Sequence, residues 1–184
     1  AWDRELVDAG TALDGMRRDY LRQLEPLVAA EVGQLLVGME FTLRYQSGWT
    51  RDIPLHEALR KSLDADRSRG YTHPGPHRAD CTLWLNGKPV QSQYSRGQQK
   101  AVVAAFMMGQ VMLQQQRSRA GGAFLLDDLA SELDADHQAR VLSALAQLGT
   151  QVFVTAIDAT ALDLSAWTER KRFHVEHGEI REQG

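Results

Sequence analysis

The sequence predicts an α/β fold, in which a mostly parallel sheet with helices follows a subdomain of mixed α and β structure. Short apolar runs at 123–126 and 151–155 have the length of buried strands, and a helical pattern at 135–148 separates them. Strand, helix and strand in this order are typical of parallel pairing. A long amphipathic pattern at 2–36, followed by a strand-like pattern at 39–45, predicts the preceding mixed subdomain.

The amino-terminal part of the chain is predicted to be mainly helical. Apolar residues recur every three or four positions across 2–36, which predicts one long amphipathic helix, or two if Pro26 divides it. Apolar and polar residues alternate across 39–45, as in a half-buried strand. A further helix is predicted over 54–68, with Gly70 as its stop signal.

An irregular segment and two hairpins are predicted from proline, histidine and glycine positions. Residues 71–80 contain two histidines at the spacing of helical metal ligands, but Pro74 and Pro76 exclude a helix there. A metal site at these histidines is therefore not expected. Asn86-Gly87 and His177-Gly178 each lie between two short strand patterns, which predicts a tight hairpin turn at both places.

A helix with a favourable amino terminus is predicted after residue 95. Ser95 can act as the N-cap and Gln98 can close a capping box, so the helix should begin at Arg96 and run to about Gln115. Its first turn offers free N–H groups, a serine hydroxyl and, at Gly97, a position without a Cβ. Because the helix dipole also favours an anion, this turn is suited to a terminal phosphate.

Two adjacent carboxylates end the first apolar strand pattern. Phe124, Leu125 and Leu126 are expected to be buried on both faces, as in a central strand, which leaves Asp127 and Asp128 at its carboxyl end. Open α/β sheets bind ligands at that end. Paired carboxylates there are costly unless a cation or polar ligand shares the site, and Mg²⁺ with phosphate is the usual partner. A solvated Asp-Asp turn is the alternative.

Composition excludes several classes of protein. With 184 residues and 43% hydrophobic content, the chain can form one or two compact units. No apolar run is long enough for a transmembrane helix, and no signal peptide opens the sequence. The single cysteine, Cys81, fits a cytoplasmic protein without disulfides. A net charge of −3 argues against a uniformly basic DNA binder, although basic residues cluster at 17–22 and 60–69.

Several motifs together resemble a known protein family. YSRGQQK at 94–100 resembles the signature motif of ABC-type ATPases, AFLLDD at 123–128 their Walker B strand, and SELD at 131–134 their D-loop. Within that superfamily, GPHRAD at 75–80 and QVFVTAI at 151–157, in this order with the others, are similar to the RecF family of bacterial recombination mediators. The resemblance covers nearly the whole chain.

The resemblance implies a domain organisation and a set of site residues. Residues 1–72 would form a helical lever-arm subdomain, and 73–184 the carboxyl-terminal lobe of an ABC-type ATPase head. Asp127 would hold Mg²⁺, and Asp128 would position or deprotonate the attacking water. The residues implied to bind ATP are Ser95, Arg96, Gly97, Gln98 and Asp134. His77 and Arg78 would contact phosphate or a subunit interface, or would only satisfy local carbonyls in a rigid connector.

One motif of ABC-type ATPases is absent from the sequence. No G-x-x-x-x-G-K-[ST] loop is present, and this loop is needed to wrap the β-phosphate. The only Gly-Lys pair, at 87–88, is followed by proline and fits a hairpin turn better. We therefore expect this chain to be the carboxyl-terminal half of a longer protein. Whether the chain alone is an enzyme stays open, whereas the complete protein is expected to be a slow ATPase.

Two substitutions in the motifs point to slow hydrolysis. Many ABC-type ATPases have a histidine that contacts the γ-phosphate where this chain has Ala156, and a glutamate where it has Asp128. Both changes suit an enzyme in which ATP clamps a dimer rather than supplying power.

The resemblance implies a function for the complete protein and leaves alternatives. A RecF-type protein would dimerise on ATP, bind DNA at single-strand gaps or junctions, and help load recombinase with RecO-like and RecR-like partners in the cytoplasm. The alternatives are the head of another SMC-like or Rad50-like DNA-organising ATPase and a non-enzymatic dimerisation module. A transporter ATPase would need a coupling region for transmembrane helices, which the sequence does not show.

Overall fold

The chain folds into two units, Ala1–Ala120 and Gly121–Gly184, in a computed structural model. The structure describes residues 2–118, 122–129, 133–158, 160 and 162–183. The implied boundary between a lever arm and an ATPase head at residue 72 stays a prediction.

The first unit is built on two long helices. Helix α1 spans Trp2–Leu35 as one helix with Pro26 inside it, so proline does not divide the predicted helical segment. Its buried face carries Leu24, Val28, Val32 and Leu35. These side chains recur every three or four positions, which is the spacing that predicted an amphipathic helix.

A three-stranded antiparallel sheet lies in the same unit. Strand β1 (Phe41–Gln46) pairs with β2 (Asp80–Leu85), and β2 pairs in turn with β3 (Lys88–Pro89). The predicted hairpin turn between β2 and β3 is confirmed, since Asn86 and Gly87 have φ values of 45° and 74°. The sequence patterns predicted these strands but not the pairing of β1 with the hairpin.

The two longer remaining helices of the first unit match the sequence patterns closely. Helix α2 spans Leu55–Arg69, and Gly70 ends it in the left-handed conformation. The segment after it is irregular, as its prolines predict, apart from a 3₁₀ turn at Pro76–Arg78. A short helix α3 (Val90–Gln93), which was not predicted, then leads into α4 (Arg96–Arg117). Helix α4 packs along α1.

The second unit contains the predicted strand, helix and strand. Strand β4 (Ala123–Leu126) pairs in parallel with β5 (Gln151–Val154), and helix α5 (Ala135–Gln147) connects them. Leu125 lies opposite Phe153 in the register of the two strands. The parallel pairing that the sequence predicted is therefore confirmed.

The unit ends in an antiparallel hairpin. Strand β6 (Arg172–Glu176) pairs with β7 (Glu179–Gln183), and the predicted turn residues His177 and Gly178 have φ values of 49° and 81°. Among the residues described, no helix is both long enough and apolar enough to cross a membrane.

The prediction that β4 is buried on both faces is wrong. Phe124 is 3% exposed, but Leu125 is 69% exposed, and Phe153 on β5 is 50% exposed. Successive side chains of a strand point to opposite faces, so only the face of Phe124 is covered. Within the described residues β4 pairs with β5 alone, so it is not a central strand. The expected burial of β5 fails for the same reason.

Candidate functional site

The amino terminus of α4 has the predicted capping box. The Ser95 hydroxyl accepts a hydrogen bond from the Gln98 backbone N–H at 3.2 Å, and the Gln98 side-chain oxygen accepts one from the Ser95 N–H at 3.0 Å. The helix begins at Arg96, as expected. Two of the backbone donors at this end of the helix are therefore satisfied within the chain.

The segment before this cap is held by two further side chains that the sequence patterns did not single out. The Gln99 side-chain amide donates to the Tyr94 carbonyl at 2.8 Å and to the Gln91 carbonyl at 3.3 Å. The Tyr94 hydroxyl donates to the Leu85 carbonyl at 2.6 Å. These bonds tie the start of α4 to the end of strand β2, and so fix the direction in which the first turn faces.

The first turn of α4 has the chemistry of an anion site. The capping box uses the Ser95 hydroxyl as an acceptor, which leaves its hydrogen for an oxygen of a ligand. Ser95 and Arg96 are exposed, and Gly97 is half-buried. Free N–H groups and the helix dipole favour a negative charge at this end. The structure thus brings Ser95 to Gln98 together in one turn, as the motif requires.

The carboxyl ends of β4 and β5 bring three polar residues together. The parallel ladder continues one step beyond β5, because the Thr155 N–H donates to the Leu126 carbonyl at 2.9 Å. This step places Thr155 beside the two aspartates. Its hydroxyl donates to Asp127 Oδ1 at 2.5 Å and accepts from the Asp128 N–H at 2.9 Å. The sequence patterns indicated the aspartates but missed the role of Thr155.

The backbone at Asp128 turns sharply. Its φ is 47°, in the left-handed region that non-glycine residues rarely adopt, although aspartate and asparagine are among the more tolerant. Asp127 is exposed and Asp128 is half-buried. The two carboxylates therefore lie at the accessible end of the strand, as predicted.

The donor set at this end of the sheet fits Mg²⁺. Carboxylate oxygens are the ligands that Mg²⁺ prefers, and it commonly takes only one or two of them, with waters and substrate phosphates completing its coordination. Across the described residues, no group of three or more histidine, cysteine or acidic side chains is assembled for a metal ion. The carboxylates of Asp127 and Asp128 supply oxygens of the kind that Mg²⁺ prefers.

Asp134 caps helix α5. Its carboxylate accepts from the His137 backbone N–H at 2.9 Å and lies 2.7 Å from the His137 ring Nδ1. The predicted N-cap is therefore confirmed, whereas a contact with ATP stays a prediction. The His137 backbone N–H, followed by its side chain, lowers the pKa of the Asp134 carboxyl. Two other residues of the proposed D-loop, Ser131 and Glu132, lie outside the described residues.

The segment that contains His77 and Arg78 is anchored by local contacts. The His77 ring lies 3.1 Å from the Thr72 carbonyl, and the Arg78 guanidinium lies 6.0 Å from the Tyr71 ring centroid. The Arg17 side chain donates to the Pro76 carbonyl at 2.7 Å. These contacts favour the rigid-connector interpretation.

The basic cluster on α1 is also engaged within the chain. Arg18 forms an ion pair with Asp14 at 2.7 Å, and Arg22 forms one with Asp19 at 3.0 Å. Both pairs join neighbouring turns of the same helix, where such pairs contribute little to stability. The cluster therefore gives no specific support to a DNA-binding surface.

Curated relatives identify the family. Over 181 residues the chain is 41% identical to the DNA replication and repair protein RecF of Thioalkalivibrio sulfidiphilus, covering 98% of this chain and 50% of that protein. It is 42% identical over 183 residues to the protein of the same name from Stutzerimonas stutzeri, again covering 98% of this chain. The chain belongs to the RecF family. It spans about half the length of the curated relatives it matches, and no protein-family model matches it.

Solved structures establish the fold. The recombination mediator protein RecF-ATPrS in the RecFOR pathway superposes with a TM-score of 0.79 at 21% identity, covering 99% of this chain and 49% of that one. A structure from work on ATP-driven dimerization and DNA stimulated activation of SMC ATPases superposes with a TM-score of 0.57 at 10% identity, covering 93% of this chain. The fold is the α/β fold that RecF shares with SMC ATPases.

Proposed function

We propose that this chain is the carboxyl-terminal half of a RecF-type, ATP-dependent DNA-binding protein. The complete protein dimerises on ATP, binds DNA at single-strand gaps or junctions, and promotes recombinase loading with RecO-like and RecR-like partners. The proposal rests on the combination of family and site. This chain is 41% identical to a RecF protein over 98% of the chain's own length. It also has a capped helix start that suits a phosphate and a strand that is followed by two aspartates.

The exposed face of the β4–β5 sheet supports the interpretation of this chain as half of a longer protein. Leu125 and Phe153 are paired in register and are both at least half exposed, so they form a small apolar surface on the sheet. An uncovered apolar face of a parallel sheet is unusual, because helices normally cover both faces. The half that carries the phosphate-binding loop is the occupant that we propose for this face.

The first turn of α4 is proposed to act on a nucleotide held by another subunit. In a head-to-tail dimer, the phosphate would lie between the loop of one subunit and this helix terminus of the other. The Ser95 hydroxyl would then donate to the terminal phosphate, and the backbone N–H groups near Gly97 would approach it closely. ATP would join the two subunits in this arrangement.

The aspartates at the end of β4 are proposed to serve hydrolysis. A bound Mg²⁺ neutralises charge that develops on the phosphate oxygens. Asp127 would hold the ion, directly or through water, with the carboxylate oxygen that remains beside the bond from Thr155. Asp128 would orient the attacking water and accept its proton. Its side chain is shorter than the glutamate common at this position, which fits slow turnover.

Experiments on the isolated chain test whether the nucleotide is held mainly by the other half of the complete protein. Because the phosphate-wrapping loop and its lysine are absent from the sequence, the chain alone should neither bind ATP tightly nor hydrolyse it. Calorimetry with the chain, and then with the complete protein, measures both. Joining the chain to a half with that loop should restore binding, ATP-dependent dimerisation and hydrolysis on gapped DNA. Micromolar ATP binding by the chain alone would contradict the proposal.

A further inference from the structure

We propose that Thr155 is a positioning residue for both aspartates, which presents Asp127 to the metal ion and fixes the turn at Asp128. The inference rests on the proposed function, because it assigns a role to a third residue of the same site. It does not follow from the motifs, since they assign a role to the two aspartates after β4 but none to the residue that follows β5.

The hydrogen-bond directions at Thr155 are determined by its neighbours. A backbone N–H can only donate, so the Asp128 N–H occupies a lone pair of the threonine oxygen at 2.9 Å. The single hydroxyl hydrogen then points to Asp127 Oδ1 at 2.5 Å. One side chain thus links the carboxylate of one aspartate to the backbone of the next.

This link limits the freedom of the Asp127 carboxylate. With Oδ1 held by the hydroxyl, the carboxylate plane is oriented and Oδ2 remains for a cation or its water. Partners that orient a ligating carboxylate in this way typically change metal affinity or activity about 10-fold to 100-fold when removed. The Thr155 hydroxyl should therefore matter to ion binding although it does not touch the ion.

The same hydroxyl stabilises the left-handed turn at Asp128. Its φ of 47° is uncommon, and a residue in this region persists when its surroundings hold it there. The bond from the Asp128 N–H to Thr155 is one such restraint. Losing this restraint would allow the Asp128 carboxylate to leave the position from which it can reach a water beside the phosphate.

A matched control exists at the other end of the same strand pair. The Thr150 hydroxyl donates to the Gly122 carbonyl at 2.5 Å, where β4 and β5 begin rather than end. Thr150→Val therefore removes a threonine hydroxyl bond between the same two segments without affecting an aspartate. Comparison of Thr155→Val with Thr150→Val separates a role at the site from a role in joining the strands.

The experiment measures ion binding directly in the complete protein. With protein in excess over ATP, the electron paramagnetic resonance signal of free Mn²⁺ gives the affinity of the protein–ATP complex for this probe ion. We expect Thr155→Val and Thr155→Ala to weaken Mn²⁺ binding on the order of 10-fold. Thr155→Ser should retain the wild-type affinity, because it keeps the hydroxyl, and Thr150→Val should also retain it. Thermal unfolding without nucleotide shows whether each variant is folded.

The outcomes distinguish this inference from the proposed function. Asp127→Asn is measured in the same titration, and it should weaken Mn²⁺ binding if the site is correctly assigned. If Asp127→Asn weakens binding but the valine and alanine variants at 155 bind like the wild type, the positioning role of Thr155 is wrong and the site stands. If Asp127→Asn has no effect, the proposed ion site itself is wrong. Equal losses in Thr155→Val and Thr150→Val would show that the hydroxyl only joins the strands.

Discussion

Gly109 of α4 lies directly against Val28 of α1. A Cβ added at Gly109 would stand 2.7 Å from Val28 Cγ2 and 3.2 Å from the Val28 backbone nitrogen. Valine in a helix has one strongly preferred rotamer, so its methyl group cannot easily move aside. The absence of a side chain at 109 is therefore what allows the two long helices of the first unit to approach each other this closely.

This contact predicts opposite effects of the same substitution at two glycines. Gly109→Ala should lower the free energy of unfolding, because an overpacking cost of about 1–3 kcal/mol outweighs a gain in helix propensity of about 0.8–1 kcal/mol. Gly33→Ala, at an exposed position of α1 with nothing within 4 Å, should raise it by about 1 kcal/mol. Urea unfolding of the chain measures both. A rise of equal size in both variants would show that α1 and α4 do not pack at Gly109.

Local sequence signals correctly predicted the features that depend only on residues close together in the sequence. The Ser95–Gln98 capping box and the Asp134 N-cap both formed as expected, because each needs only three or four residues of chain. The Asn86-Gly87 turn formed for the same reason. These features are determined by backbone donors and side-chain acceptors that are close in sequence, so the pattern contains the necessary information.

Other features depend on which segments meet, and the sequence patterns missed them. Thr155 reaches Asp127 only because β4 and β5 pair in parallel with Leu126 opposite Val154. The burial of Leu125 was predicted wrongly for a related reason. An apolar run shows that burial is favourable, but it does not show whether this chain supplies the covering surface.

The carboxylate that caps α5 predicts a pH dependence of stability. The His137 backbone N–H and then its side chain hold the pKa of Asp134 below its ordinary value of 3.8. The pKa of Asp134 is lower in the folded state than in the unfolded chain, so the ionised carboxylate stabilises the fold in full at pH values above the ordinary pKa of 3.8. This stabilisation is lost as the pH falls through the lowered pKa of the folded state. Asp134→Asn keeps an acceptor oxygen for the cap but cannot ionise.

Urea midpoints of the wild type and Asp134→Asn should therefore differ by a constant amount near neutral pH and converge in acid. Because all other acidic groups are the same in both proteins, the difference between their urea midpoints reports on Asp134 alone. His137→Ala should preserve most of the effect, since the larger cause of the lowered pKa is the backbone N–H, which every residue except proline retains. A difference between the two midpoints that does not begin to shrink as the pH falls below the ordinary carboxyl pKa of 3.8 would contradict the assignment.

Substitutions at the two aspartates should separate ion binding from water activation. Asp128→Asn keeps a residue that tolerates a left-handed backbone, so the turn with φ of 47° should survive. The complete protein should then bind ATP normally and hydrolyse it about 10²-fold more slowly, as expected for a lost general base. Asp127→Ala should instead weaken nucleotide-dependent assembly. Single-turnover hydrolysis and light scattering measure the two effects, and wild-type hydrolysis by Asp128→Asn would exclude its proposed role.

The cap of α4 gives the sharpest test of a contact between subunits. Ser95→Leu removes the N-cap, which costs about 1 kcal/mol, and it also removes the hydroxyl donor and crowds the approach at Gly97. Loss of a hydrogen bond to a charged phosphate adds about 1.5–3 kcal/mol at each site. With two symmetric sites, ATP-dependent dimerisation should weaken by a factor on the order of 10² or more, since each 1.4 kcal/mol is tenfold.

The ATP affinity of the monomer distinguishes a contact in trans from one in cis. If Ser95 acts on the nucleotide of the other subunit, Ser95→Leu in the complete protein should leave monomer ATP binding almost unchanged while dimerisation and DNA retention fail. Ser95→Thr is the matched control, because it keeps both the hydroxyl and the ability to cap the helix. Loss of monomer ATP binding in Ser95→Leu, with dimerisation falling only in proportion, would place Ser95 in the site of its own subunit.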